Sequence, residues 1–467
     1  MKLCDAVYSL MSKWDGVFTQ QRTTFRAIRL ATCLLLNPSR NTITQSLVFG
    51  GLENRDWSAD YKISSRSKWN ASELFDPIIQ ETVSYFTDNF ISVAVDDTKV
   101  KKTGKKIPLT QYHRDPLSPP FTTNLIFGHR IMQFAALLPL YKLIKSGCDD
   151  ENKHYHVSRG IPVLVDNVPP VKKPGKRASA EQIAEYKKLK EKNNLSLAFV
   201  NDAQELRIKY DEAGVKDKTL LIVADGSFCN STVFRADIER TDIVARCRKD
   251  ARLCFEDTTS SRCFYSKDTF TPLSIFQNKD IEYKTTQMFL GKASRVVRYK
   301  DIDNVIWQGG ARRKKLRLIV IAPKPYKSYG TRQQYKQEAY ILTTNHDLDA
   351  EIIIQQFINR WEIEVNHRDE KNNLGLGQAQ VWNNESTIKI PSLLIASYSM
   401  LLLASLECYG PTRTDNYLPQ PKWRKGSVRP SCNDLVNLMR KEVASDPDFQ
   451  KKLNIELFGG ASISVNQ

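Results

Sequence analysis

No Cys-x-x-Cys pair occurs in this sequence, and its nine cysteines (Cys4, Cys33, Cys148, Cys229, Cys247, Cys254, Cys263, Cys408, Cys432) are scattered and odd in number. That excludes a disulfide framework and favours a reducing compartment. An unbroken apolar leader is lacking too: Met1 to Asp15 carries Lys2, Asp5 and Lys13, so no secretory signal is expected. The longest apolar run, Ser392 to Leu406, is about 15 residues or roughly 22 Å as a helix, short of the ~30 Å bilayer core, and reads as a buried helix. Internal repeats are absent. His154-x-His156 has no other metal ligands nearby in sequence and reads as structural. What is present is charge: 69 Lys and Arg against 52 Asp and Glu, a net charge of +17. With 41% hydrophobic and 10% aromatic residues over 467 positions, the chain has enough apolar material for two to three domains. A basic excess on a globular chain points to a polyanion, with nucleic acid the leading partner, because cations that neutralise phosphates gain affinity by releasing condensed counterions.

The chain divides by texture. Residues 1–85 carry helical spacings such as Phe25, Ile28, Leu30, Cys33 and Leu34, with a second helix starting near Thr42 or Thr44, and read as a small helical domain of the kind that reads DNA. At Phe90 an alternating β-branched run begins and stops at Asp96-Asp97-Thr98. A basic loop follows (Lys99 to Lys106), then apolar runs Phe121 to Phe127 and Ile131 to Leu140, divided by Gly128-His129-Arg130. Together these predict a three-stranded meander. Pro169 to Asn194 reads as a solvated excursion ending in a charged helix. Thr219 to Ala224 is a continuous apolar run, as in strands buried on both faces, and ends in Asp225-Gly226. A predicted fifth strand ends at Arg246, Arg248 and Lys249; residues 251–345 read as a β-rich block containing Trp307 and Arg312-Arg313-Lys314-Lys315. A long helix from about Asp349 to Leu374, an apolar helix after Pro391 and a basic tail from Pro411 complete the chain.

The long helix singles out one acid. At 100° per residue, Arg360, Glu364, His367 and Lys371 share a stripe with Phe357 beside it, while Glu362, Asp369 and Glu370 face away, so that Glu370→Ala is expected to be nearly silent. Two strands ending in Asp and one helix offering Glu364 could converge at strand ends, where open α/β sheets place ligands. Carboxylates so gathered suit Mg²⁺, and two such ions together activate a water or 3′-hydroxyl for phosphoryl transfer. A lone Arg-Glu pair on a wet helix is the bland alternative.

The spacing Phe357-x2-Arg360-x3-Glu364-x6-Lys371 resembles the Tyr-x2-Arg-x3-Glu-x6-Lys signature of DDE transposases in the insertion-sequence-four superfamily. The run Arg368 to Trp382 (RDEKNNLGLGQAQVW) is similar to the insertion-sequence-701-like branch. The resemblance extends to Asp97-Thr98 and Asp225-Gly226 and covers about residues 35–440. It implies an α/β, RNase H-like (retroviral integrase-type) catalytic core with a β-rich insertion domain and a helical N-terminal domain. The implied boundaries are 1–85 for DNA binding, 86–250 and 346–410 for the two parts of the core, 251–345 for the insertion and 411–467 for a basic C-terminal region.

It further implies that Asp97, Asp225 and Glu364 bind two Mg²⁺ ions, for which Mn²⁺ would substitute. Asp97, the residue before Thr98, matches the family, leaving Asp96 as a supporting neighbour. Arg360 and Lys371 would grip phosphates, with Phe357 offering a stacking surface where the signature has Tyr. His367, Arg246, Arg248, Arg312 and Arg313 are further candidate DNA contacts. Trp307 is either a hairpin core residue, the plainer reading, or a stacking surface for a flipped base. The implied function is cut-and-paste transposition on double-stranded DNA by a homodimer, in a prokaryotic cytoplasm near the nucleoid and away from membranes. The rival readings are a domesticated, non-cleaving DNA-binding protein, against which intact carboxylates argue, and an RNase H-like nuclease without strand transfer.

Overall fold

The computed structural model describes residues 1–115, 118–119, 121–140, 158–259, 263–290, 293–326, 334–423 and 429–457. Cys148, His154, His156, Arg424 and Lys425 lie outside them. Five helices open the chain: α1 (Leu3–Ser12), α2 (Gln21–Leu36), α3 (Ile43–Phe49), α4 (Ser58–Ser65) and α5 (Asp76–Val83). Thr42 caps α3 by accepting a bond from the Gln45 amide at 3.2 Å. The first group of strands is β1 (Phe90–Lys101), β2 (Gln111–Arg114), β3 (Leu125–Pro139) and β4 (Ser158–Asn167). It is followed by α6 (Ala180–Lys192), α7 (Leu195–Glu212), β5 (Thr219–Ala224), α8 (Ser231–Arg235) and β6 (Thr241–Arg246).

The block after β6 comprises β7 (Leu253–Glu256), β8 (Tyr265–Phe270), α9 (Pro272–Gln277), β9 (Lys284–Leu290), β10 (Ala293–Ile306) and α10 (Gln308–Ala311). It ends with β11 (Lys315–Ile321), β12 (Lys324–Tyr326), β13 (Gln334–Lys336) and β14 (Ala339–Thr343). The closing helices are α11 (Ala350–Asn359), α12 (Trp361–Asn372), α13 (Asn384–Tyr409), α14 (Cys432–Ala444) and α15 (Pro447–Leu453).

The protein is mixed α/β around a mixed sheet. Its main path is β2-β3-β1-β5-β6-β14-β11-β10-β7-β8, with β4 beside β3 and β9 beside β10. β1, β3 and β4 form an antiparallel meander, whereas β1, β5 and β6 run parallel. The β-rich block continues this sheet through the antiparallel β6–β14 pair. Ile91, Val93 and Val95 face a large core shared with α7 and α13, and Phe90 and Ala94 face the other side, under α11 and α12.

Three local expectations change. Gly128-His129-Arg130 is no turn: it lies inside β3, opposite Lys101, Val100 and Lys99, and the third meander strand is β4. Glycine is required there, since a Cβ at Gly128 would stand 2.0 Å from the Val100 carbonyl oxygen. The apolar helix starts before Pro391, at Asn384, because the Asn383 side chain caps it on the Ser386 amide at 2.7 Å. This helix, α13, is long and apolar enough to cross a bilayer, yet 89% of its apolar window is buried inside the protein. The helix expected from Asp349 to Leu374 is broken at Arg360 into α11, which packs beside β5, β6 and β9, and α12, which packs on β1, β3 and β4.

One buried acid carries a pH consequence. On α7, Asp202 is buried with one oxygen unpartnered, and burial, reinforced by Asp166 and Glu205, pushes its carboxyl up to about 8. The fold therefore holds this proton more tightly than the unfolded chain, whose Asp titrates near 3.9. Its contribution is fully present below that value and is lost as pH rises towards 8. Asp202→Asn should raise the melting temperature by an amount that grows between about pH 4 and 8 and then levels off. Thermal melts across that range check this, and a pH-independent difference would refute it.

Candidate active site

Parallel pairing of β1 and β5 ends at Val95 and Ala224. Asp96 and Asp225 therefore leave neighbouring strands side by side, at the carboxyl ends where open α/β sheets collect ligands. β1 continues to Lys101 on β3 alone, with Asp96 opposite Gln133 and Asp97 opposite Met132. Successive residues of a strand point to opposite faces. Asp96 falls on the face of Ala94, which packs with Ala135, Leu137 and Ile363 of α12; Asp97 falls on the face of Val95.

α12 completes this end of the sheet. The Arg360 guanidinium donates to Glu364 at 3.0 Å and lies 4.0 Å from Asp96, so one cation stands between two carboxylates. Burial, with repulsion from Asp225 and Asp97 outweighed only in part by His367 and Arg360, lifts the Asp96 carboxyl to about 6. Asp225 accepts from the Ser227 amide and hydroxyl at 2.9 and 2.6 Å, which fixes its rotamer in a tight Asx turn. Asp97 keeps different company: its nearest cation is Lys99, 4.0 Å away. The carboxylate near Arg360 and in the field of Asp225 is Asp96, whereas the resemblance pointed to Asp97. Alternation puts the two on opposite faces of the sheet, and sequence spacing cannot see which face α12 covers.

Lys371 lies in the field of Asp96 and Asp97, with its ammonium pKa lowered by burial. His367 is 7% exposed and sits 3.6 Å from Glu370 with both ring nitrogens unbonded, beneath the stripe and away from its rim. Phe357 is half-buried and packs on the small core of Phe90, Leu221 and Ile353. Exposed Arg246 flanks the Asp225 loop; a Cβ on Gly226 would lie 3.4 Å from its carbonyl oxygen. Arg248 is paired with Asp250 at 2.7 Å. Trp307 packs edge-on against Phe234 at 5.8 Å and over Gly310, the core role. Arg312 and Arg313 are exposed, Arg313 lying 5.1 Å from the Phe264 ring. Trp361, at the start of α12, and Trp382, in the loop after it, are exposed aromatics at 62% and 61%, and the sequence assigned neither a role. Their signal was position: Trp361 stands one turn from Glu364.

The acids on the far side of α12 are not solvated. Glu362 accepts from Arg429 at 2.8 Å and from the Gly160 amide at 3.4 Å. Asp369 accepts from Tyr398 and Asn373, and Glu370 is fully buried. The helix approaches β4 this closely because position 160 is glycine: a Cβ there would stand 2.9 Å from the Glu362 Cβ. Glu370→Ala is therefore a core truncation, and the expectation of silence does not survive its burial.

Among the described residues no three His, Cys, Asp or Glu side chains are drawn together tightly enough to hold an ion as they stand. The donor chemistry is nonetheless that of a hard cation: oxygen-only carboxylates, one of them, Asp96, left under-neutralised by its surroundings. No family model matches this chain, and no curated protein does.

Arg429→Ala would leave Glu362 half-desolvated beneath α12 without its cation, a loss of about 1–3 kcal/mol of stability. Urea melts should show this midpoint shift with an unchanged slope, and an unshifted midpoint would show that the pair does not hold the helix.

Proposed function

We propose that the protein is a DDE-type DNA transposase with an RNase H-like core, cleaving DNA at its element's ends and joining them to a target. The observation that carries this reading is the Arg360 guanidinium set between Asp96 and Glu364, with Asp225 leaving the adjacent parallel strand beside Asp96. The meander β1-β3-β4 followed by parallel β5 and β6, with acids on the first and fourth of these five strands, supports the core assignment. Asp96, Asp225 and Glu364 would hold the Mg²⁺ ions, and Asp97 becomes the supporting neighbour.

When bound, Mg²⁺ would activate a water or 3′-hydroxyl and stabilise the departing oxygen. The chain's own contribution is placement. Arg360, with Nε and Nη1 buried and unbonded, has donors to spare for a phosphate while it orients Glu364. Lys371 would add a second positive charge beside the strand. Trp361, exposed one turn from Glu364, gives a flat surface on which a nearby base can stack. A homodimer would follow from the need to hold two ends.

Strand cleavage on duplex DNA carrying the candidate ends, assayed with Mg²⁺ or Mn²⁺, tests the reading. Asp96→Asn, Asp225→Asn and Glu364→Gln should each lose more than about 100-fold in rate while end binding persists; Asp97→Asn should stay within the 10–100-fold typical of an outer-shell partner. Lys371→Ala should flatten the salt dependence of binding by about one unit of slope. Full cleavage by Asp96→Asn with none by Asp97→Asn would return the role to Asp97. Binding without cleavage by the unaltered protein would favour a DNA-binding scaffold.

A further inference from the structure

We propose that the arginine-lined cleft at the N-terminal end of α2 is a second, separate anion site that takes the phosphate group of a nucleotide. The cleft encloses about 470 Å³ between the first turns of α2, the segment before α4 and Asn454. Arg22, Phe25, Arg26 and Arg29 recur at the three- and four-residue intervals of one helix face, and all four line it.

Local rules are broken here in one direction. Helix N-termini favour acids and a capping side chain, because unpaired amides and the aligned peptide dipoles make them positive. α2 has no side-chain cap on Gln20 and no acid in its first turn; instead Arg22 sits in that turn and Arg26 in the next. Among the described residues neither arginine has an ion-pair partner. The acids of the cleft are already engaged: Asp60 takes Arg29 Nη2 at 2.8 and 2.9 Å, and Asp56 accepts from the Ser58 amide and hydroxyl at 3.1 and 2.6 Å. Arg55 is held by Asn454 and Glu456. Arg29 is 7% exposed and its Nε is buried without an acceptor, a polar atom the fold leaves unsatisfied. Half-buried Phe25, 5.7 Å from the Arg29 guanidinium, supplies an apolar wall for a sugar or base. An anion in the cleft would meet the helix terminus and two guanidinium groups without ion-pair partners together.

The phosphate comes either from a DNA strand, which rests on the function proposed above, or from a free nucleotide, which does not. The full-length protein and its Arg22→Gln/Arg26→Gln variant are compared in two assays. In the first, inorganic phosphate or adenosine monophosphate replaces chloride at fixed ionic strength, and the melting temperature should rise for the unaltered protein and not for the variant. In the second, duplex DNA binding is followed against salt, and the variant should lose about one unit of slope, for the one phosphate the cleft takes.

Loss of the melting shift alone assigns the site to a free nucleotide; loss of the DNA slope assigns it to a strand. Arg22→Lys/Arg26→Lys should retain the effect, which separates charge from packing. Equal melting shifts and equal slopes in both proteins would overturn the proposal. Glu364→Gln, run alongside, should keep both effects; an unaltered protein that cleaves nothing yet responds to phosphate would overturn the transposase reading and leave this site standing.

Discussion

The parallel pairing of β1 with β5 sets everything at the candidate site. Because it stops at Val95 and Ala224, the next residue of each strand, Asp96 and Asp225, is released from the ladder at the same level, and two like charges emerge side by side in a partly buried place. Such a pair needs positive charge nearby or one member must take up a proton. The fold supplies Arg360 at the break between α11 and α12, a position from which one guanidinium reaches Asp96 and Glu364. That break follows from the sheet itself: α11 lies on the parallel half and α12 on the meander, so a single straight helix would not serve both.

α12 is held from behind as carefully as it is used in front. Of its rear acids, Glu362 accepts from Arg429 and Asp369 from Tyr398 and Asn373, while Glu370 is buried 3.6 Å from His367 with neither oxygen hydrogen-bonded; Asn366 donates to the Gly160 carbonyl at 3.1 Å. A charged helix laid on a sheet would ordinarily tilt to hydrate those groups; pairing them inside the protein fixes its rotation about its own axis. With Glu362 turned to Arg429 and Asp369 to Tyr398, Glu364 projects towards Arg360. Several catalytic designs depend on this kind of support, in which the reacting face is precise because the other face is locked.

What the sequence made legible was periodicity and order. The apolar run Thr219 to Ala224, the β-branched run from Phe90 and the stripe Arg360, Glu364, Lys371 depend only on neighbours along the chain, and each appears as an element or a face. Choosing between Asp96 and Asp97 was different in kind. Both stand on one strand, and the choice rests on which sheet face α12 covers, a contact between positions more than 260 residues apart. The same reason hid the burial of His367 and Glu370: helical geometry puts His367 on the Glu364 stripe and turns Glu370 away, but does not say whether water or protein lies in either direction. Gly128 misled for a local reason, since a glycine before His-Arg reads as a turn until the close approach of Val100 is known.

The N-terminal helices are tied to this site by one side chain. Asn41, just past α2, donates to the Leu34 and Leu374 carbonyls at 2.8 Å each, and its amide donates to Gln378 at 2.6 Å. It is buried, so these bonds are made without competition from water. The loop after α12 is thereby fastened to the C-terminal end of α2, while the arginine cleft lies at the other end of the same helix. Sixteen residues of helix span about 24 Å, roughly seven base-pair steps of B-form DNA. Because α2 is packed against α1, α3 and α13 along its length, that spacing is rigid. An anion held in the cleft is thereby kept at a fixed distance from the α12 loop, set by the length of a helix with no hinge between the two.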